Sequence, residues 1–124
     1  HLEVTNMIIP SLNDSTKMIK KMCDWIVKHL GGDIPLHFSR FFPSYNAMDY
    51  KPTPVSTLEK AYDIAKKAGI KYVYVGNVET DKESTYCPNC NELLVERSEY
   101  SIVENKIENN KCSKCKTKIE GVWK

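Results

Sequence analysis

The sequence lacks any long hydrophobic run, and its stretches of consecutive aliphatic side chains, such as Met7–Ile9, span only a few residues. A membrane-spanning helix needs about 20 apolar residues in succession, so no membrane segment is expected. An excess of charge of one sign is also lacking, because 18 basic side chains are interspersed with 16 acidic ones. Without the basic stripe that phosphate backbones attract, nucleic-acid binding is not expected.

An initiating methionine is missing too, and so is the basic and then apolar beginning of a signal peptide. The chain opens with His1-Leu2-Glu3-Val4, which already has the character of a strand. We therefore expect the sequence to be a piece of a longer, cytoplasmic protein.

Cysteine, in contrast, is abundant, with five residues in 124. Four of them form two Cys-x2-Cys pairs, Cys87 with Cys90 and Cys112 with Cys115, separated by 21 residues. Four thiolates at this spacing predict one closed tetrahedral zinc site. Two alternatives stay open: iron held by the same four sulfurs, and disulfides, which need an oxidising compartment.

Other residues near the cysteines fit this interpretation. A Cys-x2-Cys turn usually continues into a residue in the left-handed conformation, and Asn91 and Lys116 occupy those positions. The fifth cysteine, Cys23, lies within the apolar stripe of a predicted helix, and we expect it to be a small core residue.

Three strands are predicted in the first part of the chain. Residues 3–9 and 35–42 show strand-like patterns, and residues 71–77 form a continuous β-branched run typical of a buried parallel strand. In the second strand, alternation directs His37 and Ser39 to the face opposite Leu36 and Phe38.

Two helices are predicted between these strands. The first has an N-cap at Asn13 or Asp14 and ends at Gly31. The second has Pro54 at its first helical position and ends at Gly69. Strands joined by helical crossovers pair in parallel, so the predicted fold class is α/β.

The domain prediction follows from a change in pattern near residue 79. Residues 1–78 carry the strands and helices, and residues 79–86 are charged and aperiodic, as in a linker. Residues 87–124 contain both cysteine pairs and two short predicted strands, 92–97 and 100–107, which indicate a small β zinc ribbon.

Candidate ligand-binding residues lie where parallel strands end. His37 is suited to act as a base, a metal ligand or a hydrogen-bond donor, with a core histidine as the alternative. Arg40 is suited to bind a carboxylate or phosphate, with an ordinary surface arginine as the alternative. No nucleophile motif or phosphate loop accompanies them, so no catalytic residue is assigned.

Several segments together carry a resemblance to a known family. They are I-I-P-S-L-N-D, I-P-L-H-F-S-R-F-F-P, T-P-V-S-T-L-E-K-A, Y-V-Y-V-G-N-V, T-Y-C-P-N-C and C-S-K-C with a final G-V-W. The chain resembles the C-terminal portion of the AmmeMemoRadiSam-system radical SAM enzymes, relatives of pyruvate-formate-lyase-activating enzymes. This implies the C-terminal arc of a partial TIM-like radical SAM barrel, comprising three parallel strands and two helices.

The resemblance further implies a 4Fe-4S cluster held by an N-terminal Cys-x3-Cys-x2-Cys motif, which this chain lacks, with S-adenosylmethionine on its unique iron. It makes residues 3–9 the fifth barrel strand and 36–42 the sixth. Ile8, Ile9 and His37 would then contact S-adenosylmethionine, with His37 at the carboxyl end of its strand.

The functional hypothesis is a fragment of an oxidoreductase that cleaves S-adenosylmethionine reductively to a 5′-deoxyadenosyl radical. Its substrate is unknown, with a protein as one candidate, and the fragment alone is expected to be inactive. Its expected partners are the missing N-terminal half of the barrel and a second copy covering the uncovered sheet face.

The alternative function is a non-enzymatic zinc-ribbon module that binds protein or nucleic acid. Residues 79–124 hold nine acidic and eight basic side chains, and a zinc tetrathiolate would add further negative charge. This balance disfavours nucleic acid as the partner.

Overall fold

The computed structural model describes residues 1–44 and 48–123. It divides into two compact units, Leu2–Val78 and Glu79–Lys124. The elements of the first unit, in chain order, are β1 (Val4–Ile8), α1 (Thr16–Leu30), β2 (Leu36–Arg40), α2 (Val55–Ala68) and β3 (Val73–Gly76). Strand and helix therefore alternate, as the sequence predicts.

The three strands form one parallel sheet in the order β1-β2-β3, with β2 in the centre. Val4, Leu36 and Val73 are aligned across the sheet, and every second residue after them points to the same face. The mixed α/β class with parallel pairing is thereby confirmed.

The core lies on one face of this sheet. Right-handed crossovers between successive neighbouring strands place both helices on that same face. The buried apolar residues shared by the sheet and the helices are Ile8, Leu36, Phe38, Val73 and Val75 from the strands and Ile19, Cys23, Ile26, Leu58, Ala61 and Ala65 from the helices. Among residues 2–44 and 48–78, no helix lies on the opposite face.

Cys23 is fully buried in this core, as predicted. Burial, with a smaller contribution from the neighbouring Asp24 carboxylate, raises the pKa of the Cys23 thiol to about 11. The thiol is therefore protonated and unreactive in the folded protein.

The beginning of each helix differs from the prediction. The N-cap of α1 is Ser15, whose hydroxyl accepts a hydrogen bond from the amide of Met18 at 3.1 Å. Asn13 is occupied elsewhere, since its Oδ1 accepts from the amide of Ile9 at 2.7 Å. In α2, Pro54 is the N-cap and the helix begins one residue later.

Across residues 1–44 and 48–123, no helix has the length and apolar character needed to cross a membrane.

Thr53, just before α2, is a fully buried polar residue at the carboxyl edge of the sheet. Its hydroxyl accepts a hydrogen bond from the amide of Phe41 at 3.0 Å and donates one to the carbonyl of Ile8 at 2.5 Å. A single side chain thus satisfies two main-chain groups, one after β2 and one at the end of β1.

We expect Thr53→Val to destabilise the first unit by about 2 kcal/mol, because two main-chain groups lose their partner while the side-chain volume is kept. Thr53→Ser, which retains the hydroxyl, is the matched control and should cost less. The free energy of unfolding from urea titrations of the helical circular dichroism signal measures both. Equal stability of Thr53→Val and the wild type would contradict this role for the hydroxyl.

The second unit consists of short antiparallel strands. They are β4 (Thr85–Tyr86), β5 (Leu93–Ser98), β6 (Ser101–Asn105), β7 (Ile107–Glu108) and β8 (Lys111–Cys112). The first three form one sheet, and β7 and β8 form a hairpin. Its turn residues, Asn109 and Asn110, have φ values of 51° and 60°, which asparagine tolerates better than most residues.

Residues 79–86 are a structured part of the second unit, so the prediction of a plain linker is wrong for their local structure. Asp81–Glu83 form a 3₁₀ turn, and Ser84 and Thr85 are buried. Arg97 forms hydrogen bonds to both Ser84 and Thr85. Its amide donates to Ser84 Oγ at 3.0 Å, and its guanidinium donates to Thr85 Oγ1 at 2.7 Å. A two-residue strand is too short to produce a recognisable periodicity.

Candidate metal centre

The four paired cysteines come together in the second unit. Their Sγ atoms all lie within 4.8 Å of one another, with Cys87 and Cys115 3.6 Å apart and Cys90 and Cys112 3.7 Å apart. Four sulfurs placed ~2.3 Å from a central ion form a tetrahedron whose edges are about 3.8 Å. The cluster is therefore close enough to hold one metal ion, and all four cysteines are free thiols.

The first pair is held by main-chain hydrogen bonds within its own turn. The carbonyl of Cys87 accepts from the amide of Asn91 at 2.9 Å, and the amide of Cys87 donates to the carbonyl of Glu92 at 2.9 Å. Asn91 has a φ of 61°, which turns the chain back at this point.

The second pair repeats the same pattern. The carbonyl of Cys112 accepts from the amide of Lys116 at 3.0 Å, and its amide donates to the carbonyl of Thr117 at 2.9 Å. Lys116 has a φ of 64°, as its position in the motif predicts. Two turns with the same internal bonding thus present their sulfurs to a common point.

The electrostatic environment favours a thiolate at Cys115. The hydroxyl of Thr117, 3.2 Å from Sγ, and the amide of Thr117 lower the pKa of Cys115 to about 5. The thiolate is the form that binds metal. At the edge of the cluster, Lys114 pairs with Glu92 at 3.3 Å, and this carboxylate raises the pKa of the lysine.

The cluster is suited to a closed, structural metal site. Cys87 and Cys112 are buried, while Cys90 and Cys115 are half-buried. Four protein ligands complete a tetrahedral shell and leave no position for water or substrate. An ion bound here would join two distant segments of the chain.

His37 belongs to the first unit and is not part of this cluster. It is the second residue of β2, so the expectation that it lies at the carboxyl end of its strand is wrong. Its ring occupies the face opposite the helices, where it stacks on Tyr74 at 4.9 Å. Its Nε2 is 2.6 Å from Oε2 of Glu3, so the imidazole already has a carboxylate partner.

The two isoleucines predicted to contact a cofactor have different positions. Ile8 is completely buried beneath the helices, so its side chain offers no surface on the uncovered face. Ile9 lies just beyond the carboxyl end of β1, where its amide donates to the side chain of Asn13. The structure therefore does not bring Ile8, Ile9 and His37 to one site.

Arg40 occupies the position that was expected of His37, at the carboxyl end of β2. Its Nε donates to the carbonyl of Thr53 at 2.8 Å, and its guanidinium lies 4.7 Å from the ring centre of Phe42. Within residues 1–44 and 48–123 it forms no ion pair. The residue type alone could not show whether position 40 holds a ligand-binding arginine or an ordinary surface arginine.

A curated relative extends beyond this chain. The uncharacterized protein MJ0808 of Methanocaldococcus jannaschii is 43% identical over 122 residues, which is 96% of this chain and 37% of the relative. The chain thus spans little more than a third of the length of that relative. No family model and no solved structure matches the chain.

Proposed function

We propose that the chain is the C-terminal part of a radical SAM enzyme, in which the first unit continues a β/α barrel and the second is a structural zinc ribbon. The parallel sheet supports this best, because both helices cover one face and leave Glu3, His37 and Tyr74 on the other. In a β/α barrel, the remaining strands close over such a face. The greater length of the archaeal relative is consistent with further strands.

The cysteines of this chain do not fit an iron-sulfur cluster ligand set. Four of them converge on a single tetrahedral position, and the fifth, Cys23, is a residue of α1 that is buried in the core of the first unit. The cluster would be held by residues outside these 124, and we assign no step of the reaction to it here. Within the four-cysteine centre, an all-thiolate closed shell favours zinc in a structural role.

Arg40 is the residue through which this chain contributes most directly to S-adenosylmethionine binding. Ligands of parallel β/α folds lie outside the carboxyl ends of the strands. The Nε atom of Arg40 donates to the carbonyl of Thr53, and its guanidinium lies over the ring of Phe42; its terminal nitrogens carry the N–H donors that suit a carboxylate. His37 lies three residues earlier, about 10 Å further from this edge.

The reaction is tested on the natural longer polypeptide. After anaerobic reconstitution with iron and sulfide, we expect one 4Fe-4S cluster in addition to zinc, and release of 5′-deoxyadenosine from S-adenosylmethionine under reducing conditions. Alanine variants of the upstream Cys-x3-Cys-x2-Cys motif should abolish both the 4Fe-4S cluster and the release of 5′-deoxyadenosine, and they should retain zinc. An upstream sequence without that motif, or a reconstituted protein that does not cleave the cofactor, would refute the proposal.

The role of Arg40 is tested in the same protein. Arg40→Ala should weaken S-adenosylmethionine binding by about tenfold or more, because a hydrogen bond to a charged group contributes about 1.5–3 kcal/mol. His37→Ala should change the affinity by less than about twofold, since the ring is remote from the carboxyl edge. Isothermal titration calorimetry measures both. A large effect of His37→Ala together with none of Arg40→Ala would reverse the assignment.

A further inference from the structure

Helix α1 carries an apolar stripe that the core of its unit covers only in part, at Met22. Met18 and Trp25 are 52% and 54% exposed, and Met22 is only partly buried. His29 continues the line, with its ring stacked on that of Trp25 at 4.6 Å. These four residues, called the α1 stripe, recur every three or four positions and so share one side of the helix.

The α1 stripe faces away from α2. On the other side of α1, Val27 lies 3.9 Å from the position of a Cβ atom at Gly69, the residue that ends α2. At about 100° per residue, Met22 and Trp25 project on the side opposite Val27. This is the side of β1, which is an edge strand of the sheet.

Positive charge borders the stripe on its solvent side. Lys17, Lys21 and Lys28 are exposed there, and the nearby Asp24 is already paired with Lys20 at 2.5 Å. An antiparallel pair of α1 helices packed through this stripe would bring the lysine borders of both copies together. Charge complementarity therefore favours a partner whose apolar face has an acidic border over such a self-pairing.

We infer that the α1 stripe docks an amphipathic helix with an acidic border, supplied by another part of the same longer polypeptide. The inference rests on the proposed barrel: when β/α units follow one another with right-handed crossovers, the helix leading into β1 packs beside α1, opposite α2. The archaeal relative has the additional length for such a helix. Docking buries a contiguous apolar patch that is unusual on an isolated domain.

Trp25 fluorescence provides the test, with Trp123→Phe removing the other tryptophan of these 124 residues and any tryptophan outside them replaced by phenylalanine in the longer polypeptide. In the 124-residue chain, where Trp25 is 54% exposed, we expect the emission of a partly hydrated ring that acrylamide quenches readily. In the natural longer polypeptide, we expect a blue shift and a quenching constant lower by about threefold or more, as an interface buries the ring. Equal quenching in both forms, or a gene encoding only these 124 residues, would overturn the inference.

A lysine substitution distinguishes docking from a general loss of stability. Trp25→Lys should lower the urea midpoint of the longer polypeptide and leave that of the 124-residue chain unchanged. Ile102→Lys, at a site 63% exposed in the other unit, is the matched control and should change neither. If the 124-residue chain sediments as a dimer with Trp25 protected, a second copy is the occupant and the inference is wrong.

These readouts are independent of the reaction. A longer polypeptide without an iron-sulfur cluster in which Trp25 is buried would refute the proposed function and support docking. A cluster-containing enzyme in which Trp25 is still exposed would support the proposed function and refute docking.

Discussion

Removal of the metal should unfold the Glu79–Lys124 unit and leave the Leu2–Val78 unit folded. The buried apolar residues of the second unit are few: Cys87, Leu94, Val95, Cys112 and Ile119. Two of these five belong to the four-cysteine cluster, so the apolar core without an ion is very small. Units of this size rarely fold without a metal or disulfide, and structural zinc binding contributes on the order of 10 kcal/mol.

A strong chelator should therefore release one zinc ion per chain and collapse the amide chemical shifts of residues 84–119 to random-coil values. The helical circular dichroism signal should persist, because both helices belong to the first unit. Elemental analysis of the purified, reduced protein distinguishes zinc from iron. A metal-free protein whose second unit keeps its dispersed spectrum would contradict the role of the centre.

Substitution of the ligands provides the matched comparison. Cys112→Ser should abolish stoichiometric metal binding, because it removes one of four thiolates from a closed shell. Cys23→Ala, at the cysteine buried in the first unit, should retain one zinc and affect only the first unit. Equal metal content of the two variants would show that the four-cysteine cluster is not the binding site.

Truncation of Phe38 should destabilise the first unit by about 3–5 kcal/mol, as expected for a buried Phe→Ala change. Phe38 is completely buried in the central strand and belongs to the core cluster of sheet and helices. The cavity left by Phe38→Ala cannot collapse easily, because both neighbouring strands hold β2 in register. A loss of this size is a large share of the stability of a small domain.

Phe42→Ala is the control, because the same side chain there is 50% exposed. Its loss removes a cation–π contact with Arg40, so we expect a change of about 1 kcal/mol or less. Urea titrations of the helical signal measure both, and zinc content should be unchanged in both. Equal destabilisation by the two variants would mean that Phe38 does not anchor this core.

The metal centre was predictable because each half of it is local. A Cys-x2-Cys turn is closed by bonds from the first cysteine to residues four and five positions later, as at Cys87 and Cys112. Such a turn needs only a residue that tolerates positive φ, and Asn91 and Lys116 supply it. The short distance between the sulfurs of Cys87 and Cys115, in contrast, depends on how the two turns face each other.

The order of strands and helices was likewise predictable from periodicity, but the ends of the elements were not. Asn13, Asp14 and Ser15 can all cap a helix, and Ser15 does so because Asn13 is bonded to the turn after β1. Alternation assigns His37 to one face of its strand. Only pairing with β1 and β3 shows that β2 begins at Leu36 and ends at Arg40.

The sequence alone therefore determined the four candidate metal ligands, the α/β class and the apolar faces, because these depend on spacing along the chain. Tertiary structure alone decided which polar groups meet at the carboxyl edge of the sheet. There Thr53 bonds to Ile8 across 45 positions of the sequence, and its carbonyl orients Arg40. Contacts between residues so far apart leave no periodic pattern, since they depend on the register of the sheet and the course of the connecting loop.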